Sequence, residues 1–100
     1  MKYDVIIVGA GAAGFGCALT LASANDKFDW AKDKKYLILD NNKSDLNVGK
    51  YCNVAGVEFG INGVDLLEKM KKQLTNYKDC ELKNTTVSKI VKNNFTRIIF

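Results

Sequence analysis

Three glycines near the start of the chain have the spacing of a phosphate-binding turn. The stretch GAGAAG places Gly9, Gly11 and Gly14 in the pattern G-x-G-x-x-G. In that pattern the first glycine allows a sharp turn, the second lets a pyrophosphate approach the backbone, and the third lets a helix pack closely on a strand. The backbone N–H groups of about Ala12, Ala13 and Gly14 would then face the phosphates. The pattern predicts a nucleotide site, and the alternative is a glycine-rich turn without a ligand.

A carboxylate ends the next apolar run of the chain, YLILD, at Asp40. An acid at the end of the second strand of this fingerprint accepts hydrogen bonds from the ribose hydroxyls of adenosine. The alternative for Asp40 is a solvated residue that merely ends a strand. Asn41, with Asn42 and Lys43, either lines the adenosine edge or forms the following turn.

The distance between glycines and acid is longer than usual. Gly14 and Asp40 are 26 positions apart, whereas about 20 is typical. We assign the excess to a charged surface excursion over residues 25–35. Its two aromatic residues, Phe28 and Trp30, are expected to tuck against the edge of the domain.

The composition excludes several kinds of chemistry. The chain has no histidine, so histidine-dependent triads and histidine metal sites are excluded within it. Cys17, Cys52 and Cys80 form no Cys-x-x-Cys pair, so neither a zinc ribbon nor a local redox dithiol is predicted. We predict no metal site, and the sequence does not identify a catalytic residue. Scattered, odd-numbered cysteines favour a reducing, cytoplasmic compartment.

The elements that must position these residues follow from hydrophobic patterning. Val5–Val8 is apolar without alternation, which predicts a central strand of a parallel sheet covered on both faces. The helix that continues through residues 15–22 is apolar nearly all round, so we expect it to be buried between the sheet and neighbouring elements. Tyr36–Asp40 is predicted to be a second buried strand.

The second half of the chain predicts a loop, a helix, a strand and a hairpin. Residues 41–62 form a loop with at most one helical turn, and a helix begins at Asn62 or Gly63. Residues 80–91 suit a third parallel strand that continues into a hairpin, with a turn at Asn93 and Asn94 and a returning strand over Phe95–Phe100. The predicted buried stripe of the helix consists of Val64, Leu67, Met70 or Lys71, and Leu74.

Export, membrane insertion and nucleic-acid binding are weaker interpretations. Lys2, an apolar run and the small residues 22–24 are compatible with a secretory or lipoprotein signal, but Asp4 and the repeated glycines interrupt it. No run approaches the ~20 apolar residues of a membrane span. The lysine-rich face of the second helix lacks interleaved aromatic residues, and the net charge of +4 is mild. We therefore predict neither a membrane nor a nucleic-acid partner.

The stretch VIIVGAGAAGFGCAL resembles the FAD-binding start of the flavoproteins with two dinucleotide-binding domains, and especially their thioredoxin-reductase-like branch. Ala18 lies four places after Gly14, as in the FAD variant of the motif. The stretches YCNVAGVEFGINGVDLLEKMKKQL and CELKNTTVSKIVKNNFTRI are also similar to that family. The resemblance implies that Asn53 belongs to the cofactor site and that the main chain near Val87 meets the adenine.

The chain also departs from that family. Ala12 and Ala13 stand where Pro-Ala is usual, and Asp40 replaces a glutamate. The family's Cys-x-x-Cys, second nucleotide fingerprint, Ala-Thr-Gly strand and Gly-Asp flavin motif are absent. In the family these features lie later in the chain, so we expect residues 1–100 to be the N-terminal part of a longer protein. Thioredoxin reduction itself cannot be claimed from these residues.

The resemblance implies an α/β fold: a Rossmann-like FAD-binding βαβ unit with a parallel sheet and a C-terminal β-hairpin, as an incomplete domain. It implies an FAD-dependent oxidoreductase that uses NAD(P)H and acts on a small molecule or a small redox protein. This segment would bind the ADP part of FAD and would be inactive alone. The resemblance leaves open whether the protein forms a homodimer. The alternatives are a non-catalytic adenine-dinucleotide-binding regulatory module and a fragment of an NAD-dependent dehydrogenase.

Overall fold

Within residues 2–100, a parallel three-stranded sheet carries two α-helices. The computed structural model describes residues 2–100. The strands are β1 (Val5–Val8), β2 (Tyr36–Asp40), β3 (Lys50–Tyr51), β4 (Ile61–Asn62), β5 (Cys80–Asn84), β6 (Lys89–Lys92) and β7 (Thr96–Ile99), and the helices are α1 (Ala12–Ala24) and α2 (Gly63–Leu74). The parallel sheet has the order β1-β2-β5, while β3–β4 and β6–β7 are antiparallel pairs. The predicted α/β class, parallel sheet and C-terminal hairpin are confirmed.

The middle of the sheet is β2, and its burial follows from its position. Every residue of β2 is buried, since β1 and β5 pair with it on either side. Tyr36 and Ile38 join one core cluster with residues of both helices, including Phe15 and Leu67. This core fixes the helices to the sheet, because burying large apolar side chains is the main stabilising contribution to such packing.

The expectation that Val5–Val8 is a central strand covered on both faces is wrong for the described chain. Within residues 2–100, β1 pairs with β2 alone and lies at the edge of the sheet. As a result Val8 is 52% exposed and Val5 is also exposed. The apolar run identified a strand correctly, but an apolar run does not specify which neighbours the strand acquires.

Both helices form where the sequence predicts them, but their buried faces differ from the predictions. The expected burial of α1 between the sheet and its neighbours holds for one face only: Phe15 and Ala18 are buried, whereas Cys17 on the other side is exposed. The predicted stripe of α2 is wrong at Val64, which is 53% exposed, while Leu66 is buried with Leu67. The helix is rotated toward Leu66 because Gly63, three residues earlier, faces the inside of the fold.

The connecting segments are partly as predicted. The 41–62 region contains one 3₁₀ turn, Asp45–Val48, and also the short β3–β4 pair that the pattern did not predict. In the 25–35 excursion the expectation for the aromatic residues is wrong. Phe28 and Trp30 stack on each other at 5.8 Å between ring centroids, and Trp30 remains 66% exposed. Within residues 2–100 no helix is both long and apolar enough to cross a membrane.

A polar network ties the strands together at the amino-terminal end of the sheet. The Lys35 ammonium donates to Asp79 Oδ1 at 2.5 Å, and the Asn25 amide donates to Asp79 Oδ2 at 3.2 Å. Tyr36 Oη donates to Asn25 Oδ1 at 2.9 Å. The hydrogen bond from Lys35, followed by that from Asn25, holds the pKa of Asp79 below its usual value. The same contact with Asp79 raises the pKa of Lys35.

These shifts predict a specific loss of stability in acid. Because the pKa of Asp79 is depressed in the folded state, its contribution is present above the unfolded value of about 3.9 and is lost as the pH falls through the folded value. Asp79→Asn should therefore lower the urea midpoint at neutral pH, and the two curves should converge below about pH 4.

The control is Asp26→Asn, since Asp26 is exposed and makes no ion pair within residues 2–100. It should leave the midpoint close to that of the wild type. A constant difference between wild type and Asp79→Asn at every pH would contradict the assigned role of the network.

Candidate functional site

The register of the parallel sheet brings the predicted site residues to one edge. Val8 is paired with Leu39, so Gly9 follows beside Asp40, and the Gly9 N–H donates to the Leu39 carbonyl at 2.9 Å. On the other side Asp40 is paired with Asn84. Because parallel strands end at the same edge, the glycine turn and the acid share the carboxyl-terminal rim, where open α/β sheets bind ligands.

The glycine turn has the geometry that its spacing predicts. Gly9 has φ of +105°, a conformation that favours glycine. A Cβ on Gly14 would overlap the carbonyl oxygen of Gly9, so α1 approaches the turn as closely as backbone atoms allow. At Gly11, by contrast, the nearest atom to such a Cβ would be Ser44 Oγ at 3.4 Å. The structure therefore shows the sharp turn at Gly9 and the close packing at Gly14, whereas phosphate binding at Gly11 stays a prediction.

The N-terminus of α1 has no side-chain cap among the described residues. Gly11 occupies the capping position, no side chain accepts from the first turn, and that turn contains no acid. The first backbone bond of the helix runs from Phe15 N–H to the Gly11 carbonyl at 3.0 Å. The preceding N–H groups, at Ala12, Ala13 and Gly14, are therefore the free donors of a helix start.

The second helix of the same chain shows the opposite arrangement. Asn62 Oδ1 accepts from the Asp65 N–H at 2.8 Å, and Asp65 places a carboxylate in the first turn of α2. Both features neutralise the partial positive charge of a helix N-terminus. Since α1 has neither, its start is the one of the two that can receive an external anion.

Asp40 is buried rather than solvated, with an exposed fraction of 6%. Its Oδ1 accepts from the Asn42 N–H at 2.9 Å, which fixes the turn after β2. Its Oδ2 lies 3.8 Å from the ammonium of Lys71 on α2. One carboxylate oxygen is thus engaged in the backbone turn, while the other faces a cation beyond hydrogen-bonding distance.

The remaining predicted residues have different surroundings. Asn41 is exposed and its Oδ1 accepts from the Lys43 N–H at 3.1 Å, as in the turn alternative. Val87 is half-buried just beyond the end of β5, on the same rim as Asp40. Asn53 is exposed in the loop between β3 and β4, where its side chain forms no hydrogen bond with the described part of the chain.

The sequence analysis did not predict that three further residues lie near the candidate site: Ser44, Gly63 and Lys71. Ser44 Oγ lies beside Gly11 and accepts from the Leu46 N–H at 3.2 Å. A Cβ on Gly63 would overlap the Leu46 carbonyl oxygen, so α2 presses on this same turn. A glycine directly after the helix cap was a usable signal for Gly63. For Ser44 and Lys71 no signal existed, because their positions depend on contacts across the fold.

The arrangement offers binding groups rather than reacting groups. In the part of the chain that the structure describes, no three His, Cys, Asp or Glu residues cluster as metal ligands. Burial raises the pKa of the Cys80 thiol, which makes it a poor nucleophile, and Cys80 is the first residue of β5, at the amino-terminal end of the sheet. Two surface cavities lie away from the glycine turn. The first, of about 500 Å³, is lined by α2 and by Glu58–Asn62. The second, of about 380 Å³, is lined by residues of both helices.

Comparisons with solved structures identify the fold. A thioredoxin reductase from Gloeobacter violaceus is 29% identical, with a TM-score of 0.80 over 97% of this chain and 31% of its own. TrxB from Bacillus anthracis is 23% identical with a TM-score of 0.81, over 98% of this chain and 31% of its own. The atypical thioredoxin reductase TRi from Desulfovibrio vulgaris Hildenborough is 20% identical with a TM-score of 0.77, over 97% of this chain and 30% of its own.

These neighbours define the class of the fold: it is a fold shared with about 30% of the length of thioredoxin-reductase-like oxidoreductases. The resemblance inferred from the residues is thereby confirmed. The chain spans 31% of the length of the Gloeobacter violaceus thioredoxin reductase and 31% of that of Bacillus anthracis TrxB. No family model and no curated protein matches the sequence.

Two glycines of α1 provide a matched test of the packing at the glycine turn. Gly14→Ala should destabilise the protein by about 3 kcal/mol, since the new methyl group meets the Gly9 carbonyl, which is backbone and cannot move aside cheaply. Gly16→Ala lies in the same helix with no atom within 4 Å of the new Cβ, so it should stabilise by about 1 kcal/mol. Chemical denaturation measures both, and equal effects would contradict the close approach.

Proposed function

We propose that this chain binds the ADP part of FAD within an FAD-dependent oxidoreductase that takes electrons from NAD(P)H. The observation that carries the proposal is the uncapped start of α1, opened by the glycine turn and placed on the same rim as Asp40. Such a helix start binds phosphate through its free N–H groups and its dipole. The structural likeness to oxidoreductases of the thioredoxin-reductase type supports the choice of cofactor class.

Each part of the nucleotide has a counterpart on the rim. The pyrophosphate would lie against Gly11 and the N–H groups that follow it, where no Cβ intervenes. The ribose hydroxyls would donate to Asp40 Oδ2, because Oδ1 already accepts from the Asn42 N–H. The adenine would lie toward the backbone near Val87, beyond the end of β5.

FAD, when bound, supplies the electron transfer through its isoalloxazine ring. The residues described here hold the nucleotide end and move no proton or electron. We propose that the flavin end, the NAD(P)H site and any redox-active cysteines belong to further segments of a longer protein, since the solved neighbours are about three times as long. The proposed substrate is a small molecule or a small redox protein, and the proposed location is the cytoplasm.

The binding proposal predicts a selective effect of a side chain at Gly11. ADP added to the isotopically labelled chain should shift the amide resonances of residues 11–14 most strongly. Gly11→Val should abolish these shifts, because the branched side chain covers the approach to the helix start and crowds Ser44.

Gly16→Ala serves as the control, since it changes the same helix on an exposed position away from the turn. It should bind ADP as the wild type does. Undiminished ADP shifts in folded Gly11→Val would exclude the site.

The oxidoreductase proposal is tested on the longer protein that contains this chain. Purified, it should carry a flavin spectrum that NADPH or NADH bleaches. A copurified adenine nucleotide without any oxidation of NAD(P)H would instead favour a regulatory binding module. A spectrum of bound nicotinamide without flavin would favour a dehydrogenase.

A further inference from the structure

The buried core contains a single polar or charged residue within residues 2–100, and that residue is Asp40. Burying a carboxylate is costly unless its charge is compensated. The only ion-pair partner within 4 Å of Asp40 in the described chain is Lys71, whose Nζ lies 3.8 Å from Oδ2. Lys71 lies in the third turn of α2, so the helix that connects β2 to β5 supplies the compensating charge.

The distance leaves the carboxylate oxygen chemically available. At 3.8 Å the Lys71 ammonium attracts Asp40 Oδ2 but does not occupy its lone pairs with a hydrogen bond. The same ammonium lies 3.8 Å from Glu68 Oε1 on the exposed side of α2. Lys71 is therefore held between two carboxylates and forms a hydrogen bond with neither.

We propose that Lys71 is a positioning residue of the adenosine end of the nucleotide site, acting through Asp40. The inference rests on the proposed nucleotide binding. The ammonium compensates the buried charge and holds Oδ2 toward the rim, while Oδ2 stays free to accept from a ribose hydroxyl. When the ribose binds, Glu68 provides a second partner toward which the ammonium can shift.

The proposal predicts a ribose-specific loss of affinity. In nuclear magnetic resonance titrations of the chain, Lys71→Met should weaken ADP binding about fivefold, the size of a partly exposed ion-pair contribution. Binding of 2′,3′-dideoxy-ADP, which lacks both ribose hydroxyls, should be unchanged by the substitution. Lys71→Arg should restore most of the ADP affinity, because it keeps the charge.

The matched control is Lys72→Met on the same helix. Lys72 is exposed and has no ion-pair partner within the described residues, so its removal should change neither affinity. Circular dichroism and urea midpoints verify that each variant is folded, and Lys71→Gln replaces Lys71→Met if the latter is not.

The outcomes separate this inference from the binding proposal. Equal weakening of ADP and 2′,3′-dideoxy-ADP by Lys71→Met would mean that Lys71 acts on the phosphates or the fold, and would overturn the inference. So would an undiminished effect of Lys71→Met in an Asp40→Asn background, or no effect in the wild type. Failure of wild-type chain to bind ADP at millimolar concentration would refute the nucleotide site itself.

Discussion

The contact between two backbone segments at Gly14 and Gly9 determines the geometry of the candidate site. Because a Cβ at Gly14 would overlap the Gly9 carbonyl, α1 starts directly against the end of β1. This approach places the free N–H groups of the helix at the rim of the sheet rather than over its face. Gly9 itself has a positive φ, a conformation that glycine adopts without steric cost. The side chains of the core hold this arrangement, but the backbone contact defines it.

The two ends of the parallel sheet use polar groups in opposite ways. At the amino-terminal end, Asn25, Lys35, Tyr36 and Asp79 satisfy one another in a closed network. At the carboxyl-terminal end, the start of α1 is uncapped and Asp40 Oδ2 accepts no hydrogen bond from the described residues. Ala12 and Ala13 are exposed, and within residues 2–100 no buried side-chain nitrogen or oxygen lacks a hydrogen-bond partner, so the free groups of this rim are open to solvent or to a ligand. This asymmetry is the physical reason for assigning function to one rim only.

Local patterns predicted most of the fold, and long-range packing explains the rest. The glycine spacing, the apolar strand ending in Asp40 and the helix start at Asn62 or Gly63 each depend on neighbouring residues, and all three elements form as expected. The exposure of Val8, Val64 and Trp30 was missed, because burial depends on which elements pack together. Ser44 and Lys71 were missed for the same reason: α2 and the turn before it reach the glycine turn only in the folded chain.

The crossover between β2 and β5 therefore contributes to the site as well as connecting strands. Gly63 lets α2 press on the Asp45–Val48 turn, which holds Ser44 beside Gly11, and the third turn of α2 brings Lys71 to Asp40. A change in the position of α2 would therefore move both Ser44 beside Gly11 and the Lys71 ammonium beside Asp40. Because both contacts depend on the packing of one helix, the surroundings of Gly11 and of Asp40 are linked, although the two residues are distant in sequence.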